Sequence, residues 1–192
     1  MNTPKFRVSF PNVFEAKKND MNGKDEFSVM ALYPKGADMA LLEAEAEKAV
    51  IAKWGADKSK WPAKLRSPFR DQGEKAKRNN DGDMILPPAH EEGAIFMNLK
   101  SQQKPHVVDN SVQDIIDRSQ FYAGCWAVAS VSAYAYDAKG NCGVAFGLGN
   151  IQKVGEGEPL GGRTRPEDDF APVDMGGEKS TAETGAAGSI FN

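Results

Sequence analysis

FYAGCWAVASVSAYAYDAKGNCGVAFGLGNI, residues 121–151, carries the plainest structural signal in the chain. From Phe121 to Tyr136 the even positions include Tyr122, Trp126, Val128, Tyr134 and Tyr136. The odd positions are mostly small: Ala123, Cys125, Ala127, Ala129, Ala133 and Ala135. Successive side chains of a strand point to opposite faces, so this alternation describes a long strand, bulky on one side and open to close approach on the other. Asp137 to Gly143 forms a turn, and Val144 to Ile151 returns as the last strand. Gly147 and Gly149 weaken an ordinary strand interior, which predicts a bend, a bulge or a close backbone approach. Tyr122, Trp126, Tyr134 and Tyr136 are too many rings to bury on one strand of a narrow barrel. One or two of them line a surface, and the pattern does not say which.

Upstream, Phe6, Val8 and Phe10 alternate with Lys5, Arg7 and Ser9, a half-buried strand that Pro11 and Asn12 end. Asn19 to Gly23 reads as a hairpin tip. Glu26 to Tyr33 makes a second strand, with Phe27, Val29, Ala31 and Tyr33 on one face. The two are antiparallel neighbours, because so short a loop holds no crossover helix. Asp38 then caps an amphipathic helix over Met39–Trp54, with Glu43 and Glu47 toward water, Trp54 toward the core and Gly55 as its stop. Residues 58–83 have no sustained period and contain Pro62, Pro68, Gly73 and Gly82, so they form a long, basic, partly extended segment. Ala94 to Lys100, with Phe96, is a third strand. Val107 and Val108 are a short extended piece, and Ser111 to Arg118 has room for one or two helical turns. The order is β-β-α-loop-β-(α)-β-β. It suits a mainly β (α+β) fold: an OB-like five-stranded antiparallel barrel with a covering helix and a long basic loop. An open α+β sheet is the other architecture that fits.

The chain has 192 residues, 40% apolar and 27% charged, enough for one domain with a real core. No apolar run approaches a membrane span, and Met1 to Phe6 does not look like a secretory signal. Two cysteines, Cys125 and Cys142, fit a reducing compartment, so the expected location is the cytoplasm of a cell, its own or a host's. The net charge of −3 hides an asymmetry. Between Lys53 and Arg78 nine basic residues face three acidic ones, whereas after Pro166 only Lys179 opposes six acids. Positive charge gathered on one face suits a nucleic-acid partner; scattered charge is merely solvated surface.

Several stretches resemble a family of bacteriophage single-stranded DNA-binding proteins, long catalogued only as a phage domain of unknown function. They are Phe6 to Phe14, Phe121 to Cys125, Gly140 to Lys153, and Glu158 to Arg163 followed by Glu167-Asp168-Asp169-Phe170. The resemblance spans about residues 5–170. It implies an OB-like barrel with extra elements, related in function to the T7-type phage single-strand binders and acting in replication or recombination. The family's turn usually has a lysine where Cys142 stands, so here a small thiol replaces what would be a surface charge.

Binding an unpaired strand without sequence preference needs cations along the phosphates and flat side chains against the bases. Lys58, Lys60, Lys64, Arg66, Arg70, Lys75, Lys77 and Arg78 are the candidate phosphate contacts, with Arg66 and Arg70 flanking Pro68; Lys5 and Arg7 extend the track. Lys100, Lys104 and Arg118 rank behind them. Trp61, Phe69, Tyr122, Trp126, Tyr134 and Tyr136 are the candidate stacking rings, and Trp61 and Phe69 fit core packing equally well. His90, His106, Cys125 and Cys142 lack metal-ligand spacing, and no phosphate-binding Gly-Lys loop occurs. Asp81, Asp83, Glu91 and Glu92 surround a Pro-Pro turn and read as plain surface. No catalytic residue, metal or cofactor is expected.

The expected organisation is a binding domain over 1–162 and a flexible acidic tail over 163–192, too poor in apolar residues to order itself. The resemblance implies that such tails compete with DNA and recruit replication or recombination proteins. Asp168, Asp169 and Phe170, and the terminal Ile190 and Phe191, are the partner-binding candidates. Self-association, or cooperative assembly along DNA, is compatible with an open strand edge. The competing reading is a phage structural or assembly protein whose basic segment is incidental.

Overall fold

The structure, a computed structural model, describes residues 1–19, 23–138 and 140–161. Its elements are β1 (Phe6–Lys18), β2 (Asp25–Leu32), α1 (Ala40–Trp54), β3 (Leu65–Arg66), β4 (Arg70–Asp71), β5 (Lys77–Arg78), β6 (Met84–Ile85), β7 (Ile95–Ser101), β8 (Val107–Val108), β9 (Trp126–Ala138) and β10 (Asn141–Gly155). The tail candidates Asp168, Asp169, Phe170, Ile190 and Phe191 lie outside the described residues.

β1 pairs antiparallel with β2 and β9, β2 with β7, and β9 with β10, while β10 runs parallel to β7 and closes the circuit. The chain is mainly β with one helix, and its ring of strands resembles an OB-like fold. An all-antiparallel ring is not what forms. A circuit with an odd number of strands cannot reverse direction at every step, so one pair must be parallel, and it is β7–β10. β3 and β8 add parallel to β10, β4 adds antiparallel to β7, and β5–β6 is a hairpin of its own.

The first strand does not end at Pro11. It runs on to Lys18, with register shifts on both sides of Asn12. Val8 and Val13 are both fully buried, a spacing of five that strict alternation cannot keep, so a bulge takes up the extra residue. Pro11 has no N–H for the ladder and is tolerated at such a bulge. One expectation fails here: Phe10, expected inward with Phe6 and Val8, is 66% exposed, at a backbone φ of +46°.

The helix begins at Ala40, whose N–H donates to the Asp38 carboxylate at 3.0 Å. Leu42, Ala46 and Val50 turn inward at four-residue spacing, and Gly55, at φ +86°, donates its N–H to Ile51 O and ends the helix. These side chains share the core with Ala127, Ala129 and Val131, the small face of β9, which is what lets α1 lie close. Leu42 is fully buried, and Leu42→Ala is expected to cost about 2–5 kcal/mol. Residues 121–125 are not part of the long strand; they turn through Gly124 at φ +116°, burying Phe121 and Cys125. The predicted helical turns at 111–118 are also absent. Val112 stands at φ +62°, which no right-handed helix accommodates, and a short 3-10 turn forms only at Arg118–Gln120.

A second, smaller cluster lies on the outside of the ring, where Met30, Leu32 and Phe96 are covered by Ala89 and Leu160. Both cysteines are free and buried. Burial pushes the Cys125 thiol up to about 12. Cys142 is not a surface substitute for a charge: it stands in register with Leu65 and is only 7% exposed. Among the described residues no helix is long and apolar enough to cross a membrane.

Candidate nucleic-acid interface

The outward face of β10 is almost without side chains. Gly143, Ala145, Gly147 and Gly149 alternate with the buried Val144, Phe146 and Leu148. On the β9 side, Tyr136 stands opposite Gly143, Tyr134 opposite Ala145 and Ser132 opposite Gly147. On the other side, Arg66 of β3 pairs with Gly143 and Lys100 of β7 with Gly147. Paired residues share a face of the sheet. The result is a strip of small residues with tyrosines along one bank and cations along the other, closed over at the buried Gly143 and open toward Gly149.

The glycines are required by this packing. A Cβ on Gly143 would lie 2.7 Å from the Tyr136 hydroxyl and 2.7 Å from the Arg66 carbonyl oxygen. At Gly149 it would lie 2.4 Å from the Ser130 hydroxyl. At Gly147 the space is easier, 3.3 Å to the Ser132 hydroxyl and 3.9 Å to the Tyr134 ring. The expected close approach at Gly147 and Gly149 is therefore present, and a register shift between Leu148 and Ile151 supplies the expected bulge. Next to this strip, a cleft of about 490 Å³ is lined by Lys100, Gln102, Gln103, Ser130, Ser132 and the two glycines. Tyr134 is 49% exposed. Partial burial, then Glu26 and Tyr136, hold its hydroxyl above the usual range, so it stays neutral. Lys100 is steadied by Glu26 at 3.1 Å.

The other predicted cations are distributed over different parts of the surface. Lys58 pairs with Glu47 at 3.5 Å and lies 5.5 Å from the Trp61 ring, beside the end of α1. Lys60 pairs with Asp57 at 3.8 Å, and Lys64 is exposed. Arg70 is paired with Glu74, and with Lys75 it lies over the fully buried Phe96, 4.9 and 4.8 Å from the ring centre. Lys77 and Arg78 stand exposed on the β5–β6 hairpin. Lys5 and Arg7 lie 4.7 and 5.8 Å from the Trp126 ring. Arg7 also donates to Gly124 O at 3.1 Å and Glu158 O at 2.7 Å, clamping the chain where it leaves the ring.

The rings divide in the same way. Trp61 donates its indole N–H to Gly55 O at 2.9 Å, and Phe69 tilts against Phe146 at 6.0 Å; both are half-buried against the core, as is Trp54. The Tyr122 hydroxyl lies 2.6 Å from Glu156 Oε2 and accepts from Gly157 N–H at 3.2 Å, so that ring holds the exit segment. Trp126 is half-buried under its two cations. Tyr134 and Tyr136 alone flank the strip. Sequence reasoning ranked Lys100 behind other cations and assigned Phe10 to the core. The signal for Lys100 was the pairing of β7 with β10, which period-two patterns cannot show.

A ring of strands like this one, cations and half-exposed rings on its outside, resembles an OB-like fold. Over residues 1–182 the sequence matches the family described as Enterobacter phage Enc34, ssDNA-binding protein. The chain belongs to that family of phage single-stranded DNA-binding proteins, whose function is non-enzymatic. Among solved structures it is similar to the single-stranded DNA-binding protein from bacteriophage Enc34 in complex with ssDNA, with 14% identity, 83% of this chain and 88% of that one covered, and a TM-score of 0.61. A second structure of the single-stranded DNA-binding protein from bacteriophage Enc34 gives 18% identity, 88% and 89% coverage and a TM-score of 0.61. Gp2.5, a single-stranded DNA-binding protein encoded by bacteriophage T7, gives 12% identity, 86% and 96% coverage and a TM-score of 0.55. No curated protein matches. Among the described residues no group of three or more His, Cys, Asp or Glu is placed to hold a metal ion.

Proposed function

We propose that this protein binds and protects single-stranded DNA without sequence preference during phage DNA replication or recombination, in the host cytoplasm. In this reading the ring is a five-stranded OB-like barrel within a binding domain over 1–162. The observation that carries it is the β10 strip, where Tyr134 and Tyr136 face Arg66 and Lys100 across a row of glycine and alanine. Each unpaired base has a π face for a tyrosine, whatever its identity, and stacking contributes roughly 1–3 kcal/mol per base. The cations supply the salt-sensitive remainder through counterion release. Membership of the phage family supports the same partner.

Residues 163–192 act in this reading as an acidic arm. A tethered anion at high local concentration occupies a cationic surface until a longer polyanion displaces it. Asp168, Asp169 and Phe170, with Ile190 and Phe191, then contact replication or recombination proteins. Titration with labelled oligo-dT and with duplex DNA tests the main reading. The expected result is preference for oligo-dT that weakens steeply with salt. No binding at low salt would return the chain to a structural or assembly role.

A further inference from the structure

The exposed Phe10 has no part in the core and none in the β10 strip. It lines a separate cleft of about 470 Å³ together with Lys75, Lys77, Arg78, Pro87 and His90, and among the described residues no carboxylate lines that cleft. None of the three cations makes an ion pair among the described residues. Partial burial, then the neighbouring Arg70 and Lys77, hold the Lys75 ammonium below its usual range, opposed by Glu74. An exposed aromatic ring held outward by a left-handed backbone, against cations that form no ion pair among the described residues, is a surface complementary to a flat anionic group.

We propose that this cleft is a second contact for single-stranded nucleic acid, with one base stacked on Phe10 and the adjoining phosphates on Lys77 and Arg78. The inference rests on the single-strand-binding reading and extends its path. Asn12, two residues beyond Phe10, is in register with Ser28, and Ser28 with Lys100. Two strand spacings, roughly 10 Å, therefore separate the bulge from the cationic bank of the β10 strip. A strand leaving Lys100 across β2 reaches Phe10 without crossing the interior.

The test uses the full chain and labelled oligo-dT. Phe10→Ala is expected to lower affinity about tenfold, the scale of one lost stack, and Phe10→Tyr to restore it. Lys77→Gln with Arg78→Gln is expected to flatten the salt dependence, by about 0.7 in slope for each phosphate left without its cation. Phe10→Gly guards against a folding artefact: it relieves the positive φ, so the melting temperature holds or rises while affinity falls. Photocrosslinking with iodouracil-substituted DNA is expected to mark Phe10. If wild type binds and these variants bind equally well, with no crosslink at Phe10, this inference is overturned and the main reading stands. If wild type does not bind, the main reading fails first. Protection of Lys77 from acetylation by a peptide of residues 163–192, but not by oligo-dT, would also overturn it and assign the cleft to the tail.

Discussion

Two outer faces of the same ring have opposite characters. On β2 and β7, Leu32 and Phe96 stand in register, and Ala89 and Leu160 roof them over until Phe96 has no exposure at all. On β9 and β10 the matching face carries glycine and alanine and stays open toward Gly149, with Tyr134 half in water. Strand pairing is equally regular in both. What differs is whether a connecting segment covers the face, and that decides whether an aromatic ring supports the fold or awaits a ligand.

The contrast is broken most sharply at Phe96. Phe96→Ala is expected to cost about 3–5 kcal/mol of stability, read from denaturant midpoints, with oligo-dT affinity kept by the molecules that remain folded. On the open face the effect should invert. Tyr134→Ala with Tyr136→Ala is expected to lower affinity about a hundredfold by anisotropy, at the lower end of two lost stacks, while the thermal midpoint moves little. Equal destabilisation by both sets would erase the distinction. Gly147→Val probes the floor itself. A Cβ there would lie 3.3 Å from the Ser132 hydroxyl, a contact that a small shift of that side chain relieves, so the fold should survive, but a branched side chain across the strip is expected to weaken binding about tenfold. Arg66→Gln should change the salt dependence more than the affinity, reducing the slope by about 0.7. The smallest effect is at the cysteines. With Cys125 and Cys142 buried and both thiols raised, alkylation near neutral pH is expected to leave them untouched until the protein unfolds.

Much of this was legible in the residues. The β9–β10 hairpin, the helix from Asp38 to Gly55 and the β1–β2 pair follow from period and from turn chemistry, both of which are local. The close approach at Gly147 and Gly149 was also readable, because glycines at alternate positions of a strand mark a face without side chains. What was not legible depends on partners distant in sequence. Phe10 looked like core because alternation is assumed to persist, and the bulge around Pro11 and Asn12 interrupted it. The run from Lys58 to Arg78 looked like one basic track, yet β3 attaches to β10, β4 to β7, and β5 to β6, so adjacent cations in the chain face different neighbours. Lys100 joined the strip only through the parallel pairing of β7 with β10.

That parallel closure also governs when the protein can form. Among the described residues β10 is the last strand made, yet it pairs with β3, β7, β8 and β9. A nascent chain halted before Asn141 carries β3, β7, β8 and β9 without the strand that joins them. Such a chain is sticky toward its own copies, and assembly waits until synthesis has passed Gly155. Ribosome-stalled chains of increasing length should therefore stay protease-sensitive up to that point and become resistant in a single step beyond it.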